Sequence, residues 1–244
     1  MKRIAIVLLI IILLCLIGFG IFLLVNNEKP PVVVTPTPPP VDMREPSEKI
    51  EIQSTVTNTQ TQKRLIDVNM PAFINLSNFS FQESINKEIS DLINPYINEI
   101  AIVSEDTVNK QYKYIVDYER YNNENYVSLV ISQNYITGGM RSNSWKDTYT
   151  IDIVNNEKIT LADICSSKDY KKIIVDEVNK QAKQKELNLV AGNGLADIPD
   201  SQRFYIKDKK LYIYFEPAAI APYLDGEMHF EMPFDFVDNK FILE

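Results

Sequence analysis

Hydrophobic positions follow three different periods along the chain. From Ile4 to Val25 they are almost continuous, broken only by Cys15, Gly18 and Gly20. A helix over that run is roughly 33 Å long at about 1.5 Å per residue, enough to cross a hydrocarbon core of about 30 Å. Lys2 and Arg3 precede it, so the N-terminus is expected on the cytoplasmic side and residues 26 onward outside. The run exceeds the roughly 7–15 apolar residues of a cleaved signal, and Val25-Asn26-Asn27-Glu28 offers no small-x-small cleavage site. An uncleaved anchor over residues 4–25, after a cytoplasmic stub of residues 1–3, is the expectation. Leu14 ahead of Cys15 argues against a lipid-attachment box, and Gly18 and Gly20 are too close for a small-xxx-small pairing face.

Residues 26–48 have no apolar period and hold seven of the 13 prolines, most of them in PPVVVTPTPPP (30–40). Such a stretch favours extended polyproline II and predicts a semi-rigid stalk. Periodicity returns near Lys49. Ile50, Ile52 and Val56, then Leu65 and Val68, alternate as in strands. Ser80-Phe81-Gln82-Glu83 reads as a capping box, and Phe81, Ile85, Ile89, Leu92, Ile93 and Tyr96 share one helical face that Pro95 should end or kink. Tyr112–Tyr118, Tyr126–Ile136 and Trp145–Val154 read as strands, with turns at 122–125 and at Asn155-Asn156. A second helix is expected over Asp169–Leu187, a loop at Gly192-Asn193-Gly194, and strands over Arg203–Lys207, Leu211–Phe215 and Met228–Pro233. The order predicts an α+β fold of antiparallel sheets with two main helices packed on them. We divide it into a first half, 49–165, and a second, 166–244.

Charge narrows the partners. Setting aside Lys2 and Arg3 lowers the 25 basic residues to 23 against 33 acidic ones, a net of −10 on the expected outer side. That repels nucleic acid and favours cationic partners. Cys165 is the only cysteine beyond the anchor, so no internal disulfide can form.

Catalytic constellations are scarce. His229 is the only histidine, which excludes paired-histidine metal sites, and it falls in an alternating strand as a sheet-face residue. No GxSxG elbow and no phosphate-cradling glycine loop is present. Neither a catalytic residue, a metal site nor a cofactor is expected. Cys165 reads as a buried structural thiol. Glu216, Asp225 and Glu227 cluster in sequence and keep a carboxylate hydrolase open as an alternative.

Two loops combine backbone-setting residues with aromatics. One runs from Asn134 through Tyr135, Gly138, Gly139 and Arg141 to Trp145, the only tryptophan. The other runs from Glu216 through Pro217, Pro222, Tyr223 and Asp225 to Gly226. Rigid loops on a sheet scaffold concentrate binding residues, and we expect the two to share one end of the sheet as one recognition surface. Trp145 and Tyr223 are its expected anchors, with packing into the core as the competing role for each.

A family resemblance runs through these segments. Met70-Pro71-Ala72-Phe73, the Phe81–Ile89 helix, Val127-Ser128-Leu129, the Tyr135…Gly138-Gly139 turn and Ile159-Thr160-Leu161-Ala162-Asp163 resemble the extracytoplasmic module of RsiV-type anti-sigma factors and PdaC-type peptidoglycan deacetylases. Leu211–Phe215 and Ala221-Pro222-Tyr223 through Gly226 resemble its second half. The resemblance implies a membrane-anchored binding or sensor module for lysozyme or a peptidoglycan fragment. It departs at Met140-Arg141, where the family usually has Ala-His. Met1, Lys2 and Arg3 are too short to hold a sigma factor, and the deacetylase domain with its metal ligands is missing. A structural envelope protein is a further alternative.

Overall fold

The computed structural model describes residues 50–104, 111–122, 125–138, 142–165, 167–187, 189, 194–222 and 227–233. The expected anchor and stalk lie outside them, and among the described residues no helix is long and apolar enough to cross a membrane. The described residues all belong to one compact unit.

The first half is built on a six-stranded sheet in the order β1-β2-β3-β4-β5-β6. β1 (Glu51–Gln60) and β2 (Arg64–Ile74) form an antiparallel hairpin. Helix α1 (Phe79–Ala101) then crosses the sheet before β3 (Tyr112–Asn122), which pairs with β2 in parallel from Arg64↔Tyr112 to Val68↔Val116. The sheet is therefore mixed, not purely antiparallel as the sequence suggested. A helix of 23 residues carries the chain back across the sheet before β3 begins, and a strand entered after such a crossover runs parallel to the one left. β4 (Tyr126–Thr137), β5 (Asn143–Asp152) and the two-residue β6 (Glu157–Lys158) complete the sheet as antiparallel neighbours.

α1 differs from expectation at its start and in its course. Its N-cap is Asn78, whose side chain accepts from Phe81 N, so Ser80 lies inside the helix rather than capping it. Gln82 instead turns inward and accepts from Leu76 N at 3.0 Å. Pro95 neither ends nor breaks the helix. It sits on the exposed side, where the carbonyl it leaves unpaired meets water, while Ile93 and Ile100 stay buried around it. The inner stripe Ile85, Ile89 and Ile93 packs on Phe73, Tyr114, Leu129 and Ile131 in the first core. Each such side chain contributes about 1.5–3 kcal/mol on burial.

A short helix α2 (Leu161–Ile164) closes the first half, and the second half adds helix α3 (Tyr170–Gln184) and a sheet of β7 (Phe204–Lys207), β8 (Lys210–Phe215) and β9 (Met228–Glu231). Ile174, Val178 and Ala182 of α3 join Ile206, Ile213 and Phe230 in a second core, which also holds Tyr126 of β4. Asp208 and Lys209 take positive φ in the β7–β8 turn without a glycine. Cys165 follows α2; it is buried, and burial pushes its thiol up to about 12.

Candidate functional site

In β5 successive side chains alternate between faces, so Trp145, Asp147, Tyr149 and Ile151 share the α1 side. Asp147 is the one charged group in that row, and it is buried. Three donors satisfy it. Arg203, just ahead of β7, donates through Nη2 to Oδ1 at 2.7 Å. Gln133 Nε2 and Trp145 Nε1 both donate to Oδ2, at 2.6 and 3.1 Å. The Tyr114 hydroxyl donates in turn to Gln133, and Arg203 Nη1 pairs with Glu216, just after β8. A buried carboxylate with both oxygens occupied is a fixed element, and it ties the first sheet to the second.

An aromatic set stands beside this network. Tyr96 of α1 stacks on Tyr114 with centroids 5.2 Å apart, meets Tyr135 edge-on at 5.1 Å and lies 5.4 Å from Trp145. Burial raises the Tyr114 and Tyr135 phenols above their ordinary range, so both stay protonated; Tyr114 donates to Gln133, whereas the buried Tyr135 hydroxyl has no hydrogen-bond partner among the described residues. Leu92, Tyr96, Trp145, Arg203, Glu216 and Pro217 line a cleft of about 460 Å³. It adjoins a groove of about 600 Å³ along the outer edge of β5, and the two share Asp147, Arg203 and Glu216.

On the opposite face of β5, Lys146 makes a second joint. Its backbone N–H donates to the Tyr214 hydroxyl at 3.0 Å, and its Nζ lies 3.0 Å from Glu227 Oε2. His229 Nε2 is 3.5 Å from that same carboxylate, and its Nδ1 is 3.1 Å from the Tyr205 hydroxyl. Burial, then the Lys146 charge, lower the His229 pKa against the opposing pull of Glu227. Tyr205 stacks between Tyr121 and Tyr212, at 5.9 and 5.1 Å. His229 is thus a half-buried sheet-face residue held among tyrosines.

The expected site residues fall into three groups. Trp145 and Glu216 line the cleft together with Pro217. Tyr135 is buried behind them in the aromatic set, Gly138 takes φ +73° after β4, and Pro222 is exposed. Gly139, Arg141, Tyr223 and Asp225 lie outside the described residues. Sequence reasoning missed Asp147, Arg203 and Gln133. The signal was present: Gln133 and Asp147 occupy inward phases of strands whose other inward residues are apolar or aromatic. Among the described residues, no group of three or more His, Cys, Asp or Glu is placed to hold a metal ion.

Comparison with known proteins places two regions in tandem. The family described as Deacetylase PdaC matches residues 57–144, and the family described as Protein of unknown function (DUF3298) matches residues 162–235. No curated protein sequence matches. A solved DUF3298-family structure from Bacteroides fragilis is 16% identical, covers 79% of this chain and 96% of its own, and superposes with a TM-score of 0.56. Another, from Pseudomonas aeruginosa PAO1, is 10% identical, covers 80% and 96%, and gives 0.58. At those identities the likeness concerns the fold alone.

Proposed function

We propose that this chain, which carries a PdaC domain followed by a DUF3298 domain, is a membrane-anchored extracytoplasmic binding module whose ligand is a fragment of the cell wall. The observation that carries the reading is the cleft between α1, β5 and the second sheet. Its Tyr96 and Trp145 rings offer apolar surface to a sugar or peptide, and Arg203 and Glu216 offer fixed polar partners beside them. A cleft of about 460 Å³ suits a small saccharide or peptide better than the face of a folded protein.

Binding without catalysis is the reading we favour. Asp147 spends its oxygens on three protein donors, and His229, the only histidine, sits among Tyr205, Tyr214 and Glu227 and lines neither the cleft nor the groove. The apolar run from Ile4 to Val25 supports anchoring. A second reading, a lysozyme-like cationic protein as ligand, draws on the net charge of −8 over the whole chain, which would steer a basic partner and fade with salt.

The test is titration of the detergent-solubilised full chain with soluble muropeptides and with lysozyme. Muropeptide binding is expected, and Trp145→Ala should weaken it at least tenfold, about 1.4 kcal/mol, without shifting the thermal transition comparably. Lysozyme binding alone would transfer the assignment to the second reading. Failure of both ligands would remove the binding-module reading.

A further inference from the structure

The groove beside the cleft contains an open piece of strand edge. Ile153 N donates to Asn125 O, so the odd-numbered residues of β5 bond to β4 and the even-numbered ones turn their backbone groups outward. Lys146 N is taken by the Tyr214 hydroxyl, and Thr150 O accepts from Ile159 N at 2.8 Å. Between them Thr148 lines the groove, and its N–H and C=O have no hydrogen-bond partner among the described residues. From Lys146 to Thr150 the edge measures about 13 Å at roughly 3.3 Å per residue, with the Tyr214 hydroxyl on the Lys146 N–H at one end and Ile159 N on the Thr150 carbonyl at the other. That length fits three or four extended residues.

The walls are charged as well as closed. A single guanidinium, Arg203, serves both Asp147 and Glu216, which leaves one negative charge over. Asp147 has both oxygens occupied within the protein, whereas the half-exposed Glu216 faces the groove. Glu88 across the groove is matched by Lys158. The surplus therefore sits at Glu216, where an ammonium group of a ligand would complete the balance.

We propose that this groove takes a short extended peptide as an added strand, its backbone paired with the N–H and C=O of Thr148 and an ammonium-bearing side chain set against Glu216. The peptide portion of a wall fragment has that chemistry, so the inference rests on the wall-fragment reading and assigns its peptide to the groove.

Two soluble probes test it on the full chain: a muropeptide carrying disaccharide and tetrapeptide with a diamino acid, and the same disaccharide stripped of peptide. The stripped sugar is expected to bind at least tenfold more weakly. Thr148→Pro deletes the outward N–H and leaves the ladder to β4 intact, as an edge position allows; it should weaken the muropeptide at least tenfold and leave the sugar unchanged. Amide hydrogen exchange in the unsubstituted chain reads the same contact should that variant not fold, with exchange at Thr148 slowed at least tenfold by saturating muropeptide. Equal binding of both probes, unaltered affinity in a folded Thr148→Pro chain, or unaltered exchange at Thr148 overturns the peptide assignment while the wall-fragment reading stands. Absence of binding by both probes overturns both readings. Protection of Thr148 by lysozyme in place of muropeptide overturns the choice of a short peptide.

Discussion

The six-stranded sheet has two exposed edges, and they are handled in opposite ways. β1 presents ten residues with Val56 68% exposed, and among the described residues no strand pairs with its outer side. Its side chains are mostly Ser, Thr, Asn and Gln, with Glu51 as the only charge. The β5 edge is instead hemmed in by the second sheet: Tyr214 caps Lys146, β6 takes the far end, and Arg203 and Glu216 wall the α1 side. Thr148 is left open there, with no partner for either backbone group among the described residues. An edge is a general template for pairing. What makes one edge selective is the set of side chains around it, and β5 has walls where β1 has none.

Removing the wall should have the largest effect. Asp147→Ala strands the Gln133, Trp145 and Arg203 donors around an empty position, and should cost about 3 kcal/mol in urea unfolding. A loss under about 1 kcal/mol would mean that the two sheets hold together without this network. Tyr214→Phe comes next. It frees the Lys146 N–H into the groove, lengthens the open edge by one donor, and should cost about 1 kcal/mol.

A smaller effect is expected from pH on the Lys146 face. His229 has a folded pKa below its ordinary 6.5, so the folded state resists protonation more than the unfolded chain does. Stability is fully present above about pH 6.5 and declines as pH falls through the lowered value. His229→Gln should flatten that part of a plot of Tm against pH; an unchanged slope would assign the acid sensitivity to other groups. The smallest effect belongs to the other edge: Val56→Lys in β1 should stay within about 0.5 kcal/mol of the parent. A larger loss would show that β1 is covered after all.

Much of the fold was legible in the sequence because it is written in local periods. The inner stripe of α1, the alternation of β4 and β5, the Asn155-Asn156 turn, where Asn156 takes φ +56°, and the paired cores all follow from apolar spacing. The parallel pairing of β2 with β3 was not legible. Spacing states that two segments are strands but not which neighbour each selects, and that choice depended on where α1 returned the chain. Pro95 misled for a similar reason: its local penalty was outweighed by the packing of Ile93 and Ile100, with the proline itself on the wet side.

The candidate site divides along the same line. Trp145 and Glu216 stood out as individual residues, one as the sole tryptophan and the other as an acid beside a proline-set loop. Asp147 and Gln133 could have been flagged as polar residues in inward phase. No sequence pattern could supply Arg203 as their partner, 56 residues from Asp147, or make Tyr214 the cap of Lys146, 68 residues away.

By itself the sequence determined the apolar run, the proline-rich stretch, the acidic balance, the helices and strands, and the scarcity of catalytic groups, since each is a property of composition or of spacing over a few residues. Tertiary structure alone decided the mixed order of the sheet, the clamping of β5 from both faces, and the open backbone at Thr148 on its edge. Those depend on side chains far apart in the chain meeting in space, and the energy of a buried ion or an unpaired backbone group exists only once its surroundings are assembled.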